Sequence, residues 1–413
     1  MRDTPPESGA DAGAGIRRLP MPEFVAMLAT LFAIIAFSID AMLPALPQIA
    51  AELVPSDVNR AQLILTAFVL GMGVGTLFAG PISDATGRKI AITGGFALYI
   101  IGAVMAWRAQ SIEMMLFARF LQGLGAAGPR IVSLALIRDL YQGREMARVT
   151  SFVMMIFILV PAFAPLVGSV VIDATGGWRG IFGAFILFGL IGVLWLNLRQ
   201  PETLPPAKRR PLTVVSLAAA AREVLADREV RVYTVVMTLG FGQMFAVLSS
   251  SQQLFSETYG RGDSFPLWFA AMALLAGTGS ILNARVVVRM GMRRIAILAY
   301  MIQTWISAVM LLLALTGVLP AWAEFPAFFL WVTSVFFMAG VTFGNLNALA
   351  LQRMGHIAGM AASIVAAVST ILSMVIAAPL GLMFDGTAMP LIVGVLVCSA
   401  IAWWLMRRTV TTG

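Results

Sequence analysis

The sequence predicts an all-α integral membrane protein of about twelve transmembrane helices, arranged as two similar halves of six helices each. Composition is the first observation behind this prediction. Of the 413 residues, 60% are apolar and only 12% are charged, whereas about a quarter of a typical soluble domain is charged. The mean hydropathy is +0.90. The other two observations are apolar runs of membrane-spanning length and short motifs of the first half that return in the second.

Twelve apolar runs are long enough to be membrane spans, since a hydrocarbon core of about 30 Å takes about 20 residues of helix. Several of these runs contain glycine and proline, which transmembrane helices tolerate better than soluble helices do. The predicted spans are residues 23–46, 61–82, 90–108, 112–137, 147–172, 178–198, 232–254, 266–288, 294–317, 325–350, 358–383 and 389–406.

The basic residues between the spans predict the orientation, because lysine and arginine are enriched in cytosolic loops. With the N-terminus in the cytosol, the opposite side receives only Arg60, Arg108, Arg179 and Arg261. We therefore expect a multi-pass protein of a bacterial inner (plasma) membrane with both termini in the cytosol. Orientation then explains the net charge of +8 better than nucleic-acid binding does.

A long connector divides the chain into its two halves. It contains several prolines and the basic cluster Lys208-Arg209-Arg210, and residues 213–230 carry the apolar stripe of a helix. We expect this helix to lie along the cytosolic membrane surface. The predicted organisation is a disordered cytosolic tail (1–22), an N-terminal half (23–198), the cytosolic linker (199–231), a C-terminal half (232–406) and a cytosolic tail (407–413).

Two motifs of the first half return in the second half at a similar distance along the chain. Ala164-Pro165-Leu166-Val167-Gly168 is echoed by Ala378-Pro379-Leu380-Gly381, and the segment that begins with Gly87-Arg88-Lys89 is echoed by the one that begins with Gly291-Met292-Arg293. Such echoes indicate parallel repeats related by an axis along the membrane normal, with the substrate site between the two halves.

The segment after the second span, Gly80-Pro81-Ile82-Ser83-Asp84-Ala85-Thr86-Gly87-Arg88-Lys89, resembles the signature loop of the major facilitator superfamily. That loop has the form G-x-x-x-D-x-x-G-R-[KR]. The matching positions are Gly80, Asp84, Gly87, Arg88 and Lys89. The resemblance implies the major facilitator fold.

Motifs in the fourth and first spans narrow the resemblance. Arg119-Phe120-Leu121-Gln122-Gly123 resembles the R-x-x-Q-G motif of drug:proton antiporters. Arg138-Asp139-Leu140-Tyr141, and Asp40 with the following Leu43-Pro44-Ala45-Leu46-Pro47, resemble the Bcr/CflA branch, which confers bicyclomycin and chloramphenicol resistance. The resemblance implies proton-driven multidrug efflux of small, mostly apolar compounds by alternating access. The alternative is a narrow exporter of a metabolite or siderophore.

Asp40 is the only carboxylate well inside a predicted span, and a charge at membrane depth is a functional candidate by default. We expect Asp40 to carry the coupled proton. Arg119 is the expected counter-charge, because both residues lie about 10 Å from the outer ends of their helices at 1.5 Å per residue. The alternatives are an interfacial Asp40 and a structural Arg119 that bonds to backbone carbonyls.

Arg130 is a second arginine of the fourth span, and the general motif does not require it. It follows Arg119 by nearly three helical turns, so Arg119, Gln122 and Arg130 share one stripe. If that stripe faces the central cavity, Arg130 attracts an anionic or polar group of the substrate. The alternative is that Arg130 extends to the cytosolic interface or pairs with an acid of a loop.

The loop motif predicts a conformational latch between the ends of neighbouring helices, formed by charges that pair in one conformation and separate in the other. Arg138 and Asp139 extend this predicted latch beyond Asp84, Arg88 and Lys89. The alternative is a solvated basic loop that serves only topology.

The fifth span contains Pro161, Pro165 and Gly168, and so resembles the fifth helix of exporters, which is rich in proline and glycine. Such residues permit bending and close helix approach, and we expect a structural role for them.

In the second half, Phe241, Gln243 and Asn345 are the candidates for an apolar cavity with a few polar groups. Core packing is the alternative for each of these side chains.

Nothing in the sequence indicates an enzyme, a metal or a cofactor. There is no phosphate-binding loop and no His-Glu-x-x-His motif, and the single Cys398 and single His356 have no partner at metal-ligand spacing. We expect no cofactor and no metal. The expected partners are a small-molecule substrate, protons and lipid, without nucleic acid. We expect a monomer, because one chain already contains both halves of the pathway.

Overall fold

The computed structural model of the chain describes residues 18–209 and 214–409. Most of the predicted N-terminal tail (1–22), residues 210–213 of the connector and the last four residues of the predicted C-terminal tail lie outside the described residues.

The described part of the chain is helical and contains no strand. It holds twelve helical segments that are long and apolar enough to cross a membrane, which confirms the predicted fold class. The helices are α1 (Met21–Asp40), α2 (Leu46–Leu53), α3 (Leu63–Thr86), α4 (Arg88–Trp107), α5 (Ile112–Leu140), α6 (Gly143–Thr175), α7 (Arg179–Arg199), α8 (Val214–Ala226), α9 (Arg228–Gln253), α10 (Phe265–Met290), α11 (Met292–Thr316), α12 (Ala321–Gln352), α13 (Ala358–Leu382) and α14 (Met389–Arg407). Helices α1 and α2 belong to one spanning segment, and α8 is the helix of the connector.

The boundary between the connector and the second half differs from the prediction. Helix α9 begins at Arg228, four residues before the predicted start of the seventh span, and the predicted helix 213–230 is divided at Asp227. The Asp227 side chain accepts hydrogen bonds from the backbone N–H groups of Glu229 and Val230. An aspartate that caps a helix in this way ends one helix and begins the next.

The predicted repeat is visible in the backbone. Gly87 precedes α4 with a φ of +108°, and Gly291 precedes α11 with a φ of +78°. Glycine adopts positive φ without the penalty that a side chain would bring. Pro165 and Pro379, the other echoed pair, both lie inside long helices, α6 and α13.

The two six-helix groups meet mainly along α3 with α13 and α6 with α10, with a smaller contact between α3 and α9. Close packing supports the first pair, since a side chain at Gly73 of α3 would contact Ile371 of α13. Because the number of spans is even, α1 begins and α14 ends on the same side of the bundle. We call this the terminus side, and we call the opposite side, where α13 turns into α14, the far side.

Candidate functional site

Asp40 is the last residue of α1 and only 4% of it is exposed. The part of the chain that the structure describes contains no hydrogen bond to its carboxylate and no basic nitrogen within 4.0 Å of it. The prolines that follow end α1 at this point, since Leu43–Ala45 forms a separate 3-10 turn. The result is a buried carboxyl group at the end of α1 that has no ionic partner among the described residues.

Arg119 lies in α5 and is fully buried. Its Nη1 donates to Oε1 of Gln122 at 2.6 Å, and its Nη2 donates to the backbone oxygen of Ser38 at 2.9 Å. The guanidinium also lies over the ring of Phe68, 4.4 Å from the ring centre. Arg119 is thus held at the helix turn that precedes Asp40, while no ion pair joins Arg119 and Asp40 among the described residues.

A hydroxyl pair completes this buried cluster. The side-chain oxygens of Ser38 and Tyr99 are 2.6 Å apart and hydrogen bonded. Within the described residues, Nε of Arg119 and Nε2 of Gln122 are buried without a hydrogen-bond partner. The cluster therefore keeps unused donors beside Asp40, and a carboxylate is the kind of acceptor that such donors bind strongly.

Glycines bring the helices of this cluster into contact. A side chain on Gly123 of α5 would overlap the backbone oxygen of Phe68 in α3, and one on Gly102 of α4 would lie 2.6 Å from the backbone nitrogen of Gln122. Gly168 of α6 has the same role, because a side chain there would overlap the carbonyl oxygen of Ala41. The predicted exporter helix therefore touches α1 at the residue next to Asp40, and Pro161 and Pro165 lie within the same helix.

Arg130 lies on α5, eleven residues beyond Arg119. Its side chain is half-buried. Among the described residues it makes no hydrogen bond and no ion pair. Arg130 therefore differs from Arg119, whose guanidinium is already engaged.

The signature loop forms a charge network at the terminus side. Nε of Arg88 donates to Asp139 at 2.9 Å, and its Nη1 donates to Ser83 at 2.9 Å and to Asp84. These contacts join α3, α4 and the end of α5, as the latch hypothesis requires of neighbouring helices. Gly80 faces α13, and a side chain there would lie 3.9 Å from Ser363. Lys89 donates to the backbone of Asn197, and Arg138 is exposed.

The connector adds Glu202, a residue that sequence reasoning missed. Its carboxylate accepts hydrogen bonds from the backbone N–H groups of Arg88 and Lys89 at 2.9 and 3.0 Å, so it caps the N-terminus of α4, where a negative charge is favourable. The adjacent Thr203 donates to Asp139 at 2.8 Å. No sequence signal marks Glu202, because the helix end that it caps is more than a hundred residues away in sequence.

The second half has a separate network at the terminus side. Nε of Arg353, which follows α12, donates to Asp227 at 2.9 Å. Burial raises the pKa of Asp227, but the backbone N–H of Val230 and the side chain of Arg353 outweigh it and hold the pKa below its ordinary value. His356 contacts Glu223 of α8 at 2.6 Å, so the connector helix is tied to the second half.

The polar candidates of the second half are engaged within that half. Gln243 is fully buried, and its Oε1 accepts a hydrogen bond from Ser399 at 2.8 Å. Nδ2 of Asn345 donates to Asn283 at 2.7 Å. The partly exposed Phe241 packs against Phe343 with ring centres 4.2 Å apart. The structure thus does not bring Gln243 and Asn345 into contact with Arg119 or Arg130.

Comparison with known proteins identifies the family of this chain. The family model described as Major Facilitator Superfamily matches residues 26–378, which is most of the chain. The chain belongs to the major facilitator superfamily. It is therefore a multi-pass membrane transporter and not an enzyme, as the sequence predicts.

Relatives within the superfamily confirm the predicted resemblance to the drug-resistance branch. The chain is 29% identical to the Bacillus subtilis protein named uncharacterized MFS-type transporter YdgK, with 91% of this chain and 92% of that protein covered. It is 28% identical to a bicyclomycin resistance protein homolog of Haemophilus influenzae, with 92% and 94% covered. It is 31% identical to the multidrug resistance protein MdtL of Salmonella heidelberg over 59% of this chain and 60% of that protein.

Solved structures of the superfamily share the fold. The xylose transporter XylE from E. coli, in a partially occluded inward open conformation, matches with a TM-score of 0.72 and 12% identity, covering 95% of this chain and 98% of XylE. A D-xylose-proton symporter matches with a TM-score of 0.71 and 16% identity, covering 94% and 98%. At such low identity the likeness concerns the fold alone.

Proposed function

We propose that the chain is a proton-coupled exporter of small, mostly apolar, drug-like compounds, and that Asp40 carries the proton. The observation that supports this best is the burial of Asp40, which has no ionic partner in the part of the chain that the structure describes and lies near a cluster that holds unused donors. A neutral carboxyl can remain in such a place, whereas an isolated carboxylate there is costly. The drug-resistance names of two relatives support the substrate class.

The cluster suggests how proton loss changes the protein. When Asp40 is protonated, Arg119 stays on Gln122 and on the Ser38 carbonyl, as described above. When Asp40 loses its proton, the carboxylate attracts Arg119 from those partners, because two opposite charges in a medium of low dielectric attract strongly. This exchange shifts α1 against α5. Substrate bound from the terminus side favours the deprotonated form, and a ligand shifts the conformation only through such differential binding.

The substrate contacts follow from which side chains are free. Of the five predicted cavity residues, Gln122, Gln243 and Asn345 already have hydrogen-bond partners. Arg130 and Phe241 therefore become the preferred substrate contacts. Arg130 has no counter-charge within residues 18–209 and 214–409. This favours a second candidate, a narrow exporter of an anionic metabolite or siderophore, because such a substrate would supply a counter-charge.

We also propose an orientation in the membrane, an oligomeric state and a role for the charge network around Arg88. The predicted orientation puts the terminus side, with both termini, in the cytosol of a bacterial inner membrane. The basic residues support it, since Arg88, Arg293 and Arg353 all lie on the terminus side. A single chain contains both halves, so we propose a monomer. The charge network around Arg88 is proposed as the latch of one conformation.

Efflux from cells tests the proposed function. A cationic dye, neutral chloramphenicol and an anionic compound are compared for wild type and Asp40→Asn at matched expression, with and without a protonophore. Asp173→Asn is the matched control, because Asp173 is an exposed carboxylate on α6. We expect Asp40→Asn to lower efflux to the level of protonophore-treated cells and Asp173→Asn to leave it unchanged. Normal export by Asp40→Asn, with the protonophore still blocking wild type, would place the proton elsewhere.

A further inference from the structure

Side chains from both halves interlock at the far side. Gln62 lies in the turn before α3, and its Nε2 donates to Oε1 of Gln253 at 2.7 Å. Its Oε1 accepts a hydrogen bond from Ser250 at 2.9 Å. Both partners belong to α9 of the second half, so a single side chain of the first half bridges to two turns of α9.

Asn59 extends the contact to a third helix. Its Oδ1 accepts from Nε2 of Gln253 at 3.0 Å. Its Nδ2 donates to the backbone oxygens of Phe384 at 2.8 Å and Leu382 at 3.3 Å, at the end of α13. We call the four side chains Asn59, Gln62, Ser250 and Gln253 the amide network.

The amide network contains every side-chain hydrogen bond that joins the two halves within residues 18–209 and 214–409. The ion pairs of the same residues stay within one half or involve the connector, as Arg88 with Asp139 and Arg353 with Asp227 do. Among the described residues, side-chain hydrogen bonds between the two halves are therefore found at the far side alone. At the terminus side, packing alone joins the halves in the described residues.

Burial and shape strengthen the amide network. Gln62 is 4% exposed and Ser250 is 3% exposed, so water cannot readily replace their mutual hydrogen bonds, and buried polar groups left unpaired are costly. Gly381 of α13 provides the space, because a methyl group on it would overlap Oε1 of Gln62. All four side chains are uncharged, so separating them leaves no buried ion behind.

We propose that the amide network is the gate that closes the transport pathway at the far side. The gate opens when Gln62 and Asn59 leave α9 and the end of α13, and it forms again when the halves return. This inference does not depend on proton coupling or on the identity of the substrate. It assigns a function to Asn59, Gln62, Ser250 and Gln253 in the alternating-access cycle.

A buried cysteine reporter tests the gate. Ser249 is the residue before Ser250 on α9, is 3% exposed and lies close to Gly381. Replacing Cys398, the only native cysteine, leaves the reporter cysteine as the only thiol that can be labelled. The reporter protein carries Cys398→Ala and Ser249→Cys. A membrane-impermeant maleimide is applied separately to each membrane face, with right-side-out and inside-out vesicles. The rate of labelling measures how often the far side is open.

We expect Gln62→Leu to raise labelling from the far side about fivefold or more, because the substitution removes both hydrogen bonds that join Gln62 to α9. Gly381→Ala is expected to act in the same direction by displacing Gln62, although none of the four network residues is itself replaced. Thr258→Val is the matched control, because it removes a far-side hydrogen bond to Gly386 inside the second half. It should leave the rate unchanged.

Each outcome decides the proposal. Faster labelling in Gln62→Leu and in Gly381→Ala, but not in Thr258→Val, supports the gate. Unchanged labelling in either variant, with wild-type elution from a sizing column, would overturn it, as would an equal increase in Thr258→Val. If Gln62→Leu does not accumulate, Ser250→Ala removes one hydrogen bond of the network with a smaller change and carries the same test. Because labelling needs no transport, its failure is separate from a failure of the proposed function.

Discussion

At the scale of single residues, the sequence placed Asp40 and Arg119 at equal depth but could not show what each one contacts. Arg119 binds the backbone oxygen of Ser38 and the side chain of Gln122. A backbone acceptor leaves no mark in a sequence, because every residue type carries one. The predicted alternative for Arg119, a bond to a backbone carbonyl, is therefore present in this conformation together with the motif glutamine.

Arg119→Lys tests whether this geometry matters. The planar guanidinium reaches Gln122 and Ser38 at once, whereas a lysine offers a single compact charge. Losing one charge-assisted hydrogen bond costs about 1.5–3 kcal/mol, so we expect efflux to fall about tenfold or more at matched expression. Arg108→Lys is the matched control, because Arg108 is an exposed arginine at the end of α4. Full efflux by Arg119→Lys would show that charge alone suffices.

At the scale of helices, apolar run length was a reliable guide to the twelve spans, because the bilayer sets the length of each helix. Helix ends were less predictable. The start of α9 depends on the Asp227 cap, and the cap of α4 depends on Glu202 from a distant connector. Both are local polar contacts that hydropathy does not report. The glycines of α5 and α6 were likewise visible as a pattern, whereas their contacts were not.

Gly168→Ala tests the contact between α6 and α1. The added methyl group would overlap the backbone oxygen of Ala41, which cannot move without α1. Overpacking of this kind costs about 1–3 kcal/mol, so we expect a lower thermal midpoint of the purified protein and weaker efflux. Gly183→Ala on α7 is the matched control, since nothing lies within 4 Å of an added methyl group there. Equal midpoints for the two variants would refute a tight contact at Gly168.

At the scale of the whole molecule, the repeat was predictable from the echo of Gly87 and Gly291, both of which have positive φ. The closed far side was not predictable. Asn59 and Gln62 lie in a turn without a motif. Their partners on α9 are 188 to 194 residues away in sequence, and those at the end of α13 are more than 320 residues away. Gln253 of α9, which no motif marks, joins the two halves through Gln62 and Asn59. Contacts between the halves change with the conformation. One sequence is compatible with every conformation of the cycle, so it does not indicate which contacts a single conformation makes.

The most direct test of the central claim is proton movement driven by substrate in reconstituted vesicles. A pH-sensitive dye inside the vesicles reports protons when the compound of the efflux panel that wild type exports best is added outside. We predict substrate-dependent proton movement for wild type and for Asp173→Asn, and none for Asp40→Asn, although the purified variant still binds the compound. Equal proton movement by Asp40→Asn and wild type would contradict the account, because the coupled proton would then have to travel through another group.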